Sequence, residues 1–250
     1  MRSQCSHLGK AFSVALLLAA TVAVTSTHAA FINLTPTSGS NSNTSVKLSD
    51  LITPDSGVDG IIVGDKSMSG FVYSPIGDMP AASNVNVLGF KDQAGNWGLS
   101  FHGTFIDLPG GSFSDALLRF QVDVTPEAIR QGWRINDAHL FLNGVGVGSP
   151  DSGFFVDESF AEVSNKTLNA HVSTFPNGDS KLSDSVIFDT PLTTLHVTKD
   201  ILAIAASASG QPARATVIDQ SFSQIQVPEP TSLILSAIGL VGLVAYRRSR

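Results

Sequence analysis

Apolar and polar residues alternate with a period of two through most of the middle of this chain. From Trp97 to Phe105, the residues Trp97, Leu99, Phe101 and Phe105 alternate with Gly98, Ser100, His102 and Thr104. That is the pattern of a strand with one face buried and one face out. Leu118, Phe120, Val122 and Val124 repeat it against Arg119, Gln121 and Asp123. Residues 85–90 followed by the turn-like DQAGN of 92–96 predict a hairpin into the Trp97 strand. Further strands are predicted at 61–63, 69–74, 133–142, 154–163, 168–175, 185–189, 193–197, 201–207 and 214–225. Thr125 as a cap, Pro126 at the first helical position and Gly132 at the end predict one short helix. Residues 33–47 are rich in Ser, Thr and Asn and read as a flexible arm or early loop. Short strands at this spacing, parted by Gly, Asn, Asp and Pro turns, predict an all-β fold. The expected architecture is a β-sandwich of jelly-roll or Greek-key-like order. No internal repeat is visible, which disfavours a solenoid or propeller.

The period of two fails at both ends. Near the start, Arg2 and Lys10 precede a 14-residue apolar stretch, Ala11 to Val24, and then the small residues of TSTHAA. A charged start, an apolar middle and a small-residue exit describe a secretory signal peptide. Thr27 and Ala29 suit the small positions, so cleavage is expected after Ala29, with Ala30 as the alternative; residues 1–29 are the leader, helical across its apolar stretch. At the other end stand Pro228-Glu229-Pro230, the 16 uncharged residues 231–246, and Arg247, Arg248 and Arg250. The two prolines keep the first part extended, and Pro230 suits the first turn of a following helix. A helix over 231–246 would reach about 24 Å at 1.5 Å per residue. That is short for a hydrocarbon core of about 30 Å, but snorkelling arginines and local thinning can cover the difference. Arginines prefer the cytoplasmic side, so the residues upstream are expected across the membrane.

In that order, the Pro-Glu-Pro box, the apolar run and the arginines of residues 227–250 resemble the PEP-CTERM sorting signal of Gram-negative and related bacteria. The same tail is also known as an ice-binding protein C-terminal domain, because some ice-binding proteins carry it. The resemblance implies export, transient anchoring in the inner membrane, and recognition by an exosortase, a membrane-embedded cysteine transpeptidase. It implies as well an association with exopolysaccharide, biofilm or cell-surface material. Pro228, Glu229 and Pro230 would be the recognition residues, a substrate for another enzyme and not a catalytic site. Signal peptidase and the secretion machinery would be the earlier partners.

Between these ends lies the exported domain, residues 30–226, long enough for one large all-β domain or two small ones. The whole chain has a net charge of −6, but five of its 15 bases and only one of its 21 acids fall in the termini. The exported part therefore carries twice as many acids as bases, which argues against nucleic acid or an anionic membrane surface as a partner. The single cysteine, Cys5, leaves with the leader, so the mature chain has no thiol and no disulfide.

Few residues advertise chemistry. DSGVDG at 55–60 is similar at its start to a calcium loop, with Asp55, Asp59 and Gly60 in place. Gly57 replaces a ligand, however, and Lys66 stands where the closing Glu belongs, so an Asp/Gly turn is the stronger reading and calcium the only cofactor left open. The Gly144–Gly148 run lacks the spacing and Lys of a nucleotide loop and reads as a glycine-rich strand end. His102, His139, His171 and His196 show no zinc spacing, and each falls where a strand would present a polar residue outward. No nucleophile elbow or H-E-x-x-H helix is present, though a Ser-His-Asp set assembled by the fold stays open. Of the aromatic residues that could platform a sugar, Trp97 belongs to the apolar face above, and Trp133 is freer to be exposed.

The expected role is a non-enzymatic, structural or adhesive surface or matrix protein, sorted by its tail. A carbohydrate-binding module for exopolysaccharide is the alternative, and a secreted hydrolase with a non-contiguous site the third.

Overall fold

A computed structural model describes residues 30–53, 56–148, 150–176, 178–206 and 210–228, together with 238, 247 and 248. In chain order the strands are β1 (Ala30–Asn33), β2 (Val46–Lys47), β3 (Val58–Val63), β4 (Lys66–Ile76) and β5 (Asn86–Lys91). Next come β6 (Trp97–Asp107), β7 (Ser114–Val124), β8 (Trp133–Asn143), β9 (Ser152–Phe160) and β10 (Thr167–Ser173). Last are β11 (Ser180–Lys181), β12 (Ser183–Leu192), β13 (Thr194–Ala205), β14 (Ala213–Phe222) and β15 (Gln224–Gln226). Two five-residue helices interrupt them, α1 (Leu48–Ile52) and α2 (Pro126–Arg130).

The strands form two sheets, the all-β sandwich that the alternation predicts. One runs β1-β3-β4-β7-β13-β9-β10-β11, the other β12-β8-β14-β6-β5-β2 with β15 paired to β8. In β7, Ala116, Leu118, Phe120, Val122 and Val124 point inward and the residues between them do not. Phe120 stacks on Phe71 of its own sheet at 5.6 Å and meets Phe101 of the facing sheet at 5.9 Å. These rings tie the two layers together. The phase of β4 changes part-way: Lys66 and Met68 are buried, then Phe71 and Tyr73. Gly70, at φ +65°, sits where the pairing with β7 shifts, and only glycine takes that conformation freely.

Several expectations are corrected. Residues 33–47 are not a free arm. Leu34 is buried, Asn41 bridges to Phe90, and Ser42 exchanges bonds with Gly89 in both directions, its amide donating to the carbonyl (2.9 Å) and its hydroxyl accepting from the amide (3.0 Å). The strands predicted at 193–197 and 201–207 are one strand, β13. The helix at 125–132 forms as expected, with the Thr125 hydroxyl accepting from the Ala128 amide and Gly132 at φ +85° just beyond it. The hairpin β5–β6 also forms, closed by Asp92 and Asn96.

The leader lies outside the described residues, as does 231–246 apart from Ile238. Among the described residues no helix is long and apolar enough to cross a membrane.

Candidate functional site

The outer face of the second sheet carries a concave site whose floor follows from strand register. Ser183, Phe141, Asp219, Ser100 and Leu88 stand side by side across β12, β8, β14, β6 and β5. The next row is Ser185, His139, Ser221, Gly98 and Phe90. Alternation puts Leu140, Leu142 and Ile218 on the opposite face, in the core, so the polar partners of the pattern face out together. The β5–β6 turn at Asp92–Ala94 and the crossing segment at Ser40–Asn41 rise beside this floor, and Leu182 lies at its far side. The cleft so enclosed has a volume of about 610 Å³, within the range of small-molecule sites.

Its aromatic part is built from Phe141, which meets Phe90 edge-on at 6.2 Å and lies parallel to His139 at 6.3 Å. Its polar part is a set of fixed acceptors. Asp92 accepts from the Ser221 hydroxyl (2.7 Å), the Asn96 amide (2.9 Å) and the Asn96 side chain (2.9 Å). Burial pushes the Asp92 carboxyl up, but these bonds outweigh it and hold the group below its ordinary value. Asp219 accepts from Ser100 and from Asn143 Nδ2 (2.7 Å). Here burial dominates and raises the carboxyl despite those donors. His139 Nε2 lies 2.9 Å from Asp137 Oδ1 but off the line of a hydrogen bond. The ion pair with Asp137 nevertheless holds the imidazole above its ordinary value, against the pull of burial. Asn41 Oδ1 is buried with no hydrogen-bond partner.

The fold does bring serine, histidine and aspartate together, in an order unsuited to nucleophilic catalysis. Ser100 gives its only proton to Asp219, so its oxygen receives the His102 Nε2 proton at 2.8 Å. In a catalytic triad the imidazole stands between the other two and takes the serine proton. Here serine stands in the middle. Both Asp219 oxygens already accept bonds, an arrangement that fixes a carboxylate and offers no proton to a leaving group.

Of the residues singled out by the sequence, His139 lines the cleft and His102 stands beside it, while the others lie elsewhere. Trp133 is half-buried in β8 and shares a small pocket of about 150 Å³ with Trp97, Gln224 and the buried Lys66. Trp97 packs against the core as expected and carries Lys91 Nζ 4.6 Å from its ring centroid. Asp59 is exposed in strand β3 and not in the Asp/Gly turn that its sequence predicts, and Asp55 lies outside the described residues. Among the described residues no three His, Cys, Asp or Glu side chains are grouped to hold a metal. Ala30 opens β1, and Ala29 lies outside the described residues. Pro228 is exposed two residues after the end of β15, and Arg247 and Arg248 are exposed. Glu229, Pro230 and Arg250 lie outside the described residues. Nothing in the spacing of the cleft residues joins them along the sequence. The one local signal was His139 and Phe141, a ring pair on the outward positions of a predicted strand.

Residues 226–249 match the family model of the PEP-CTERM protein-sorting motif. The tail is a sorting signal. No curated protein sequence matches the chain. Among solved structures, the domain is similar to TmCBM61 in complex with β-1,4-galactotriose, at 12% identity and TM-score 0.30 over 60% of this chain and 88% of that one. It is also similar to a structure described among carbohydrate-binding modules of the β-sandwich superfamily, at 12% identity and TM-score 0.26 over 63% and 57%. A third, the family 32 module of C. perfringens NanJ in complex with galactose, has 11% identity and TM-score 0.18 over 71% and 98%. At these TM-scores the likenesses say nothing about this chain's ligand.

Proposed function

We propose that this chain is an exported, non-enzymatic surface or matrix protein that holds a glycan in the cleft on its second sheet. The observation that carries the reading is the cleft itself. Aromatic rings, Phe90 and Phe141, stand beside immobilised acceptors, Asp92 and Asp219, in one concave face of a rigid sheet. Sugar rings present C–H faces to aromatic rings and hydroxyl edges to fixed acceptors, so this combination suits them. A hydrolase is the weaker reading, because Ser100 and Asp219 are spent on each other.

Export places the cleft where such a polymer would be. Signal peptidase would remove residues 1–29, the charged, apolar and small-residue leader. Residues 231–246 would hold the chain in the inner membrane with Arg247, Arg248 and Arg250 inside. The exosortase would then act at Pro228-Glu229-Pro230 and pass the domain to the cell surface or the extracellular polysaccharide. The test is retention of the exported protein on polysaccharide extracted from the producing cells. Wild type is expected to be retained, Phe141→Ala to lose at least tenfold, and Ile187→Ser, at an exposed site outside the cleft, to behave as wild type. Passage of the wild type straight through would end the glycan reading.

A further inference from the structure

The charge of the cleft says which glycans fit it. Neither lysine nor arginine lines it. Its one basic group, His139, is compensated by Asp137 at 2.9 Å. Asp92 and Asp219 take their hydrogen bonds only from neutral hydroxyl and amide donors. The imidazoles of His139 and His102 act on them only at a distance, and no lysine or arginine pairs with either. Each carboxylate has lone pairs beyond those bonds, and Asn41 Oδ1 has no partner at all. The unmet demand in the cleft is therefore for donors. A sugar hydroxyl supplies one, whereas a uronate or sulfate brings more acceptors and a like charge into a partly desolvated site.

We infer that the cleft takes uncharged glycans, bound through their hydroxyl donors, and excludes polyuronates and sulfated polymers. This rests on the glycan reading above. It also assigns a role to Asp92, which stands on the rim turn: it is a specificity residue that repels acidic sugars. The acid excess of the exported domain acts in the same direction at longer range.

The experiment divides the extracellular polysaccharide of the producing cells by anion exchange into a neutral flow-through and an acidic eluate. Each is cast into native gels beside polygalacturonate and chitosan, and the full-length protein in detergent is run through them. Retardation by the neutral fraction, abolished by Phe141→Ala, with acidic fraction and polygalacturonate at least tenfold weaker, is the expected result. Asp92→Asn should narrow that tenfold gap, while circular dichroism reports an unchanged fold. Equal or stronger retardation by the acidic polymers, still abolished by Phe141→Ala, would overturn the charge inference and leave the cleft as a glycan site. Retardation by chitosan alone would overturn it too, in favour of a cationic ligand. No retardation in any gel would overturn both.

Discussion

Lys199 and Glu158 stand directly opposite each other on β13 and β9, both with side chains turned into the core, and form an ion pair with no exposure. Lys199 Nζ also donates to Gln220 Oε1 of the facing sheet, so one ammonium group joins both layers. Burial drives the lysine down and the glutamate up, and their mutual attraction opposes both shifts. Removing one partner would strand a charge in the core, at a cost of about 3–5 kcal/mol, while removing both can be neutral or stabilising. Lys199→Met is therefore expected to lose about 3–5 kcal/mol in urea unfolding. Lys199→Met with Glu158→Leu should recover most of it. A double variant as unstable as the single one would mean that the pair itself is worth more than its desolvation.

A second carboxylate has the opposite relation to folding. Asp200, on the outer face of β13, has its carboxyl raised to about 6, by burial and then by hydrogen bonding to and repulsion from Asp115. A carboxyl raised above its unfolded value of 3.8 makes the native state the better proton binder between those values. Stability should fall as pH rises from about 4 to about 6, and the penalty is complete above that. Because the site is largely exposed, solvent screening leaves a penalty on the order of 1 kcal/mol. Asp200→Asn should stabilise the protein at pH 7.5 by about that amount and do nothing at pH 4. Thermal unfolding at the two pH values checks this, and a variant no more stable at pH 7.5 would rule it out.

The His139–Asp137 pair has signs of its own. The histidine, raised above 6.5, contributes stability that is whole below 6.5 and fades as pH climbs through its folded value. Burial pushes Asp137 up, but His139 and Ser223 outweigh it and hold it below 3.8. Its share is whole above 3.8 and fades as pH drops through the folded value. The pair is thus worth most between about 4 and 6.5. The stability difference between wild type and His139→Gln should be larger at pH 5.5 than at pH 8.5. Equal differences at both would show that the ring acts here only through packing on Phe141.

What could be read from the sequence was whatever is local and periodic. The inward rows of β6 and β7, the β5–β6 hairpin and the cap of α2 each follow from residues within a few positions of one another. Lys199 shows the limit. A lysine at an inward position breaks the apolar row of β13, so one strand read as two, and its partner Glu158 lies 41 residues away. Leu34 and Ser42 show it again, since a polar-looking segment is held at Leu34 by the Ile62 carbonyl and at Ser42 by a strand 47 residues on. The cleft is longer-range still. Asp92 is joined to Ser221 across 129 positions and Ser100 to Asp219 across 119, by registers that no spacing encodes. The sorting tail needed none of this, because its order along the chain is the whole of its signal.

The junction between domain and tail yields the last prediction. β15 pairs with Trp133–Ile135, the Val227 amide donates to the Gly132 carbonyl at 2.8 Å, and the Gln226 side chain donates to the Gln131 carbonyl at 2.8 Å. These bonds hold the chain to the sheet as far as Val227. A chain ending at Val227 keeps every strand of the sandwich and should unfold as the full-length protein does, while losing the Pro-Glu-Pro box, the apolar run and the arginines. One ending at Ser223 also loses β15, uncovers the edge of β8 at Trp133 and opens the pocket over Lys66, which should cost about 2–3 kcal/mol. In cells, the chain ending at Val227 should be exported and folded but no longer kept at the surface. Protease accessibility of intact cells and blotting of the medium would show this. If the shortened chain is retained as wild type is, surface retention resides in the β domain and the tail is dispensable for it.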